Sequence, residues 1–329
     1  MPRLVLHIGT HKTGTTMIQN RLHDLRNTLA DHGVIYPDLG RHTGHHGYLT
    51  DWIALPEAYR SANGGRAGLQ QLAQRWRDSD VTLLLSSEEF SRAGGRGGTV
   101  DFRDLAAIFD GYDIQVICVL RCQWQFLQAV YLEVSQSTPP PPPARIVDEA
   151  IDTGQVDGLW CDYTRLYDGL REEFDVNAIR LVDYARAATS PHGLLREVMA
   201  SVMPAVPIPP MSRHDNRSPP PLPVWAAHVV AGGPSPDGAI RRAAAEAYDL
   251  EYGGDRPGCI FTRAEMRRLS ECCAPQNDRL ANRVRKVQPG WTLSAPTPPD
   301  TTLYREDIRP EYWIRLARRL ALQGTRHAA

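Results

Sequence analysis

A chain of 329 residues, 42% hydrophobic and 23% charged, has the length and composition of one large soluble α/β domain or two modest ones, with ample core in either case. A formal net charge of −1 excludes a nucleic-acid or membrane-surface binder held by whole-chain electrostatics. No apolar stretch approaches the roughly 20 residues of a membrane span, the run after Met1-Pro2-Arg3 is too short for a signal peptide, and the six cysteines show neither metal spacing nor a disulfide ladder, so a reduced cytoplasm is the expected compartment.

Leu4 to Ile8 is a short apolar run ending at Gly9, the pattern of a buried parallel strand. From Thr16 to Gly33 a helix is expected, with Ile18, Leu22, Leu25 and Leu29 along one face. Val34 to Tyr36 is extended up to Pro37, and residues 38–66 read as loop with a short helix. A helix over Gly68–Asp78 precedes a strand at Val81–Ser86, which ends in Ser87-Glu88-Glu89. A third strand, Ile114–Leu120, ends at Arg121, and a helix runs on from Gln123 to Gln136. Five prolines at 139–143 form a stiff spacer, Trp160 to Phe174 is helical in pattern, and Ala178 to Val182 is a fourth strand. The rest is helix and loop, with proline clusters at 204–210 and 219–223.

Strands alternating with helices predict an α/β fold: an open parallel sheet flanked by helices in a single domain over 1–329. The core is expected over 1–184 and a helical and loop C-terminal part over 185–329, with a proline-rich insertion near 139–143. In such a sheet the ligand sits at the carboxyl ends of the strands. Three strands here end in polar features: the loop after Gly9, Glu88, and Arg121. Their convergence on one crevice is the main functional expectation.

Gly9 and Gly14 are five apart, as in the glycine pair of a phosphate-binding loop, but Thr15-Thr16 stands where a Lys-Ser/Thr pair is usual. Backbone N–H groups, a helix N-terminus and two hydroxyls suit an anion. What is lost is the lysine that reaches a β/γ-phosphate beside magnesium, so the loop suits a 5′-phosphate with one leaving group better than a metal-bound triphosphate. Its own lysine, Lys12, is one of only two in the chain, the other being Lys286. The plain alternative is a glycine turn that starts a helix, with Thr15 or Thr16 as cap.

His11-Lys12-Thr13-Gly14-Thr15-Thr16, followed by Ile18-Gln19 and closed by Gly33-Val34-Ile35-Tyr36-Pro37, resembles the donor loop of the sulfotransferase family, above all its bacterial carbohydrate-type branch. Ser86-Ser87-Glu88, then Arg121 with Gln123, Phe126 and Tyr131, then Asn216-Arg217-Ser218, and finally Asn277 with Leu280 resemble that branch in order. The resemblance implies the donor 3′-phosphoadenosine 5′-phosphosulfate, held by His11, Lys12, Thr13, Gly14, Thr15 and Thr16 at its 5′ end and by Arg121 at the 3′-phosphate. It implies no metal. The family places a serine eight residues after this arginine; Ala129 stands here, with Gln125, Gln128 or Ser135 as possible substitutes.

For a general base the first candidate is Glu88 and the second Glu89. Capping a helix or pairing with Arg92 is the structural alternative for Glu88. His42, His45 and His46 compete as bases, with His46 foremost, or shape an acceptor pocket; a metal site there lacks a clear third ligand. Arg263, Arg267 and Arg268, with Arg279, Arg283 and Arg285, form either a solvated face or a receiver for an acidic acceptor. The expected partner is a carbohydrate or small-molecule acceptor, met by the loops at 38–66 and 139–158. The rival readings are a P-loop phosphotransferase and a nucleotide-binding protein without catalysis.

Overall fold

The computed structural model describes residues 1–40, 42–200, 206, 208 and 219–327. Its centre is a five-stranded, wholly parallel sheet. β1 (Arg3–His7), β2 (Val34–Ile35), β3 (Thr82–Ser86) and β4 (Asp113–Leu120) are joined by the edge strand Ile179–Asp183, in the spatial order β2, β3, β1, β4, edge strand. The expected strands and the α/β class therefore stand. β1 lies between β3 and β4, so the three strands with polar ends are immediate neighbours.

The strands read as unbroken apolar runs because both faces are covered. Leu83, Leu84 and Leu85 are all fully buried, and alternate residues of each strand enter two different cores. One core joins Leu4, Leu6, Leu83 and Leu85 to α3 (Gly65–Trp76), α4 (Phe102–Ile108) and the helix Tyr163–Glu173. The other joins Val5, Leu84 and Ile117 to Ile18 and Leu22 of α1 (Thr15–Asp24) and Leu29 of α2 (Arg26–Asp31). Each such leucine contributes about 1.5–3 kcal/mol by burial. The single helix expected over Thr16–Gly33 is two, parted at Leu25.

The described residues divide into two compact units that interleave along the chain. Met1–Cys122, Thr153–Ser212 and Cys273–Ser294 contain the sheet. The second unit is Gln123–Asp152, Arg213–Cys272 and Ala295–Ala329. Within it the helices Pro221–Ala231, Gly238–Tyr252 and Pro310–His327 pack around Ala243, Ala244, Ala247, Tyr248, Tyr312 and Leu316. Also in this unit, α5 (Gln123–Ser137) is tied by Gln128, which accepts from Ile260 N (3.0 Å) and donates to Gly258 O (3.5 Å).

A further expectation changes. Residues 139–158 are not a loop: a helix, Pro143–Thr153, begins at the last proline, where a missing N–H costs nothing, and a hairpin of Gln155–Val156 with Leu159–Trp160 follows. The arginines at 263, 267, 268, 279 and 285 are exposed, as the solvated-face expectation has it, and several of this group are ion-paired there. Arg263 pairs with Glu306 (3.0 Å) and Asp307 (2.7 Å), and Arg268 with Asp148 (2.8 Å), inside the second unit. Arg283 pairs with Asp168 inside the first. The resemblance at Asn216-Arg217-Ser218 lies outside the described residues.

The hairpin is held where Ala93 N donates to Gly158 O (2.8 Å). Gly158 has φ +75, and a Cβ there would sit 2.3 Å from the Gly94 carbonyl oxygen. Gly158→Ala is expected to lower unfolding free energy by more than the ~1–2 kcal/mol of left-handed backbone alone. Urea denaturation of the two proteins measures this directly.

Candidate anion and base site

The loop Gly9–Thr16 is lashed to β4 before it turns. Ile8 N donates to Ile117 O (2.9 Å), and Thr10 gives both its N–H and its Oγ1 to Val119 O, each at 3.0 Å. Thr13 Oγ1 then donates back to Thr10 O (2.5 Å), closing a tight turn. Lys12 (φ +62) and Gly14 (φ +78) are both left-handed. Gly14 is the N-cap of α1 and makes no side-chain cap, and the first turn carries no acidic residue. Left-handed residues leading directly into a helix N-terminus are a backbone arrangement that favours a phosphate-type anion. Thr13 and Thr15 are buried with their Oγ1 atoms 3.4 Å apart, whereas Thr16 is exposed.

Arg121, just past β4, braces the loop. Its Nη1 donates to Lys12 O (2.9 Å), its guanidinium lies 5.0 Å from the ring centroid of Tyr184, and its own carbonyl accepts from Tyr163 Oη (2.6 Å). It is a strut between strand end and loop. The residues weighed as substitutes at the Ala129 level are partly engaged elsewhere: Gln128 as above, and Ser135 by donating to Tyr131 O (2.6 Å).

The end of β3 carries two carboxylates with different surroundings. Glu89 accepts from His11 Nε2 (3.3 Å) and pairs with Arg92. Burial pushes its pKa up, but the His11 ring and the Arg92 guanidinium override that and hold it down to about 2. A carboxylate held that firmly charged is a poor proton acceptor. Glu88 meets a different set. Its Oε2 accepts from Gln19 Nε2 (3.0 Å) and lies 3.9 Å from His46 Nε2. The alternative partner expected for Glu88, Arg92, is therefore taken by Glu89.

The three histidines separate cleanly. His42 is exposed and bonds Ala58 O (3.0 Å). His45 is fully used: Nδ1 accepts from Ser86 N (2.9 Å), so Nε2 donates to Pro37 O (2.8 Å). His46 is buried with Nδ1 2.7 Å from Ser87 Oγ, and burial lowers its pKa against the pull of Glu88 and Glu89. Among the described residues no group of three or more His, Cys, Asp or Glu could hold a metal.

Sequence reasoning gave no role to two residues at this site. His7, the last residue of β1, is fully buried and bonds Ser86 Oγ through Nδ1 (2.8 Å), while Nε2 has no hydrogen-bond partner among the described residues. Gln19 lies buried on α1 between the apolar positions Ile18 and Leu22. A polar residue inside an apolar stripe was the available signal for both.

No family model matches this sequence, and no curated protein does. Solved structures similar to it include mouse sulfotransferase SULT7A1 complexed with PAP, with TM-score 0.39 and 10% identity over 88% of this chain and 89% of that one. They also include a gluconokinase from Sinorhizobium meliloti 1021, with TM-score 0.27 and 15% identity over 62% of this chain and 94% of that one. Likenesses this distant carry no argument about function, and the site has to stand on its own geometry. No helix among the described residues is long and apolar enough to cross a membrane.

His7 and His45 are both buried and held neutral, each with a pKa pushed down by burial to about 4. The unfolded chain takes up these protons near pH 6.5 and the native protein only near 4, so stability rises with pH across that window and is lost on acidification. The contribution is on the order of 3 kcal/mol for each ring. Urea unfolding between pH 7 and 4.5 should show this slope. His7→Met should flatten it, and an unchanged slope in that variant would contradict the assignment.

Proposed function

We propose that the chain is a sulfotransferase that moves a sulfuryl group from 3′-phosphoadenosine 5′-phosphosulfate to a hydroxyl or amine of a carbohydrate or small-metabolite acceptor. The observation that carries this reading is the pairing, at the ends of adjacent strands, of a left-handed loop at the N-terminus of α1 with a carboxylate, Glu88, whose hydrogen-bond donor among the described residues is the neutral Gln19. An anion cradle and a proton acceptor side by side are what in-line transfer of a charged group to an O–H or N–H nucleophile requires.

In this reading the loop from His11 to Thr16 holds the 5′-phosphosulfate. Lys12 neutralises the charge that grows on the phosphate oxygen as the sulfur leaves it, and Glu88 takes the acceptor's proton. Arg121, with Nη1 committed to the loop carbonyl, meets the 3′-phosphate through its remaining N–H groups. The acceptor is met in part by the segment that carries His46 and Tyr59, whose rings lie edge to face at 5.0 Å. Thr15-Thr16 in place of a Lys-Ser/Thr pair speaks for sulfuryl rather than metal-assisted phosphoryl transfer. Six free cysteines fit a reducing, cytoplasmic setting.

Calorimetric titration with 3′-phosphoadenosine 5′-phosphate in the absence of magnesium tests this. Binding is expected for the wild type, weakened about tenfold or more in both Lys12→Ala and Arg121→Ala through the loss of a charge-assisted contact. Sulfate transfer by Lys12→Ala should fall by roughly 10²-fold or more. Binding of ATP with magnesium and not of the adenosine bisphosphate would replace this reading with a phosphotransferase.

A further inference from the structure

Glu88 stands at the end of β3, and its contacts are lopsided. Gln19 Nε2 donates to Oε2 at 3.0 Å, and His46 Nε2 faces the same Oε2 at 3.9 Å. No described residue donates to Oε1. Gln19 cannot easily swing away: it is 3% exposed, its Nε2 also reaches Ser86 O (3.4 Å), and its carboxamide presses so closely on Gly44 that a Cβ there would lie 2.6 Å from it.

The tautomer of His46 follows from donor and acceptor accounting. Ser87 is fully buried, and its Oγ accepts from Glu89 N (3.2 Å). The acceptor within reach of the Ser87 hydroxyl hydrogen is His46 Nδ1, at 2.7 Å. The reverse choice, Nδ1–H donating to Ser87, would strand that hydroxyl hydrogen in the interior. It would also set an imidazole lone pair against a carboxylate oxygen. Both penalties vanish if Ser87 donates to Nδ1, which places the proton on Nε2, the ring nitrogen 3.9 Å from Glu88 Oε2.

We infer that Gln19 and the Ser87–His46 pair are positioning residues: Gln19 donates to Oε2 of Glu88, His46 turns a neutral N–H toward that same oxygen from 3.9 Å, and Oε1 is left as the atom that receives the acceptor's proton. This rests on the sulfotransferase reading. His46 then acts through Glu88 and is not itself the base. In the step, the acceptor oxygen or nitrogen forms its bond to sulfur while the bond from sulfur to the phosphate oxygen breaks. That bonding pair leaves with the adenosine bisphosphate, and the acceptor's proton passes to Oε1, from which solvent later removes it. Neutral donors orient the carboxylate while adding no positive charge beside it. Glu89 shows the contrast, since two cationic or potentially cationic partners hold it charged.

The test has two readouts on the full chain. Nitrogen-15 NMR of the His46 ring, assigned by comparison with His46→Gln, is expected to show the Nε2–H tautomer in the wild type and to lose it in Ser87→Ala. An Nδ1–H tautomer in the wild type overturns the inference whether or not the protein transfers sulfate. The second readout is the kinetics of transfer, with kcat and donor KM taken separately. His46→Leu and Gln19→Leu should lower kcat about tenfold with little change in donor KM, short of the roughly 10²–10⁴-fold loss expected for Glu88→Gln. His46→Gln, which keeps an N–H donor, should recover most of the rate. Loss in His46→Gln as deep as in His46→Leu, with Glu88→Gln still active, would make His46 the base and overturn the inference. Failure of the sulfotransferase reading shows separately, as absence of adenosine bisphosphate binding in the wild type.

Discussion

A strand with a parallel partner on each side cannot shift by one residue without turning its whole apolar set to the wrong face, and β1 is such a strand. The register places His7 beside Ser86 and lets Ile8 and Thr10 bond on into β4. The loop therefore begins from fixed coordinates, with its first turn closed by Thr10 and Thr13 before any ligand arrives. Pre-organisation of this kind means that a ligand bound at the loop, as proposed above, need not supply the free energy of ordering it. The carboxylate on β3 shares the frame, because Ser87 N donates to His7 O (3.1 Å) just beyond the paired residues.

The two glutamates illustrate how one dipeptide can divide its labour. Adjacent residues on leaving a strand point to different surroundings, so Glu89 reaches His11 and Arg92 while Glu88 reaches Gln19 and His46. Glu89 links the strand end to the anion loop through His11, and Arg121 links β4 to the same loop through the Lys12 carbonyl. The loop is thus gripped from both neighbouring strands by charge-bearing side chains, and Glu88 is spared that duty.

Much of this was legible in the sequence, for physical reasons that can be named. Strands buried on both faces are continuous apolar runs, so β1, β3 and β4 declare themselves within a residue or two. The loop declares itself because Gly14 supplies the left-handed turn at the start of α1. What stayed hidden depended on contacts between segments far apart in the chain. Nothing local distinguishes His45, consumed by two backbone groups, from His46, which faces a carboxylate. Gln19 reads as one more polar residue on a helix until its place beneath Ser86 is known. The helix at Pro143–Thr153 was concealed by the prolines before it, whose stiffness suggests a spacer although the last of them is a good helix-starting residue.

The scarcity of lysine has a practical side. Apart from the chain's own amino terminus, an amine-directed acylating reagent meets two targets in this protein: half-buried Lys12 inside the anion loop and exposed Lys286. Mass spectrometry of the acylated peptides would report occupancy of the loop as protection of one amine, with the other as an internal reference in the same molecule.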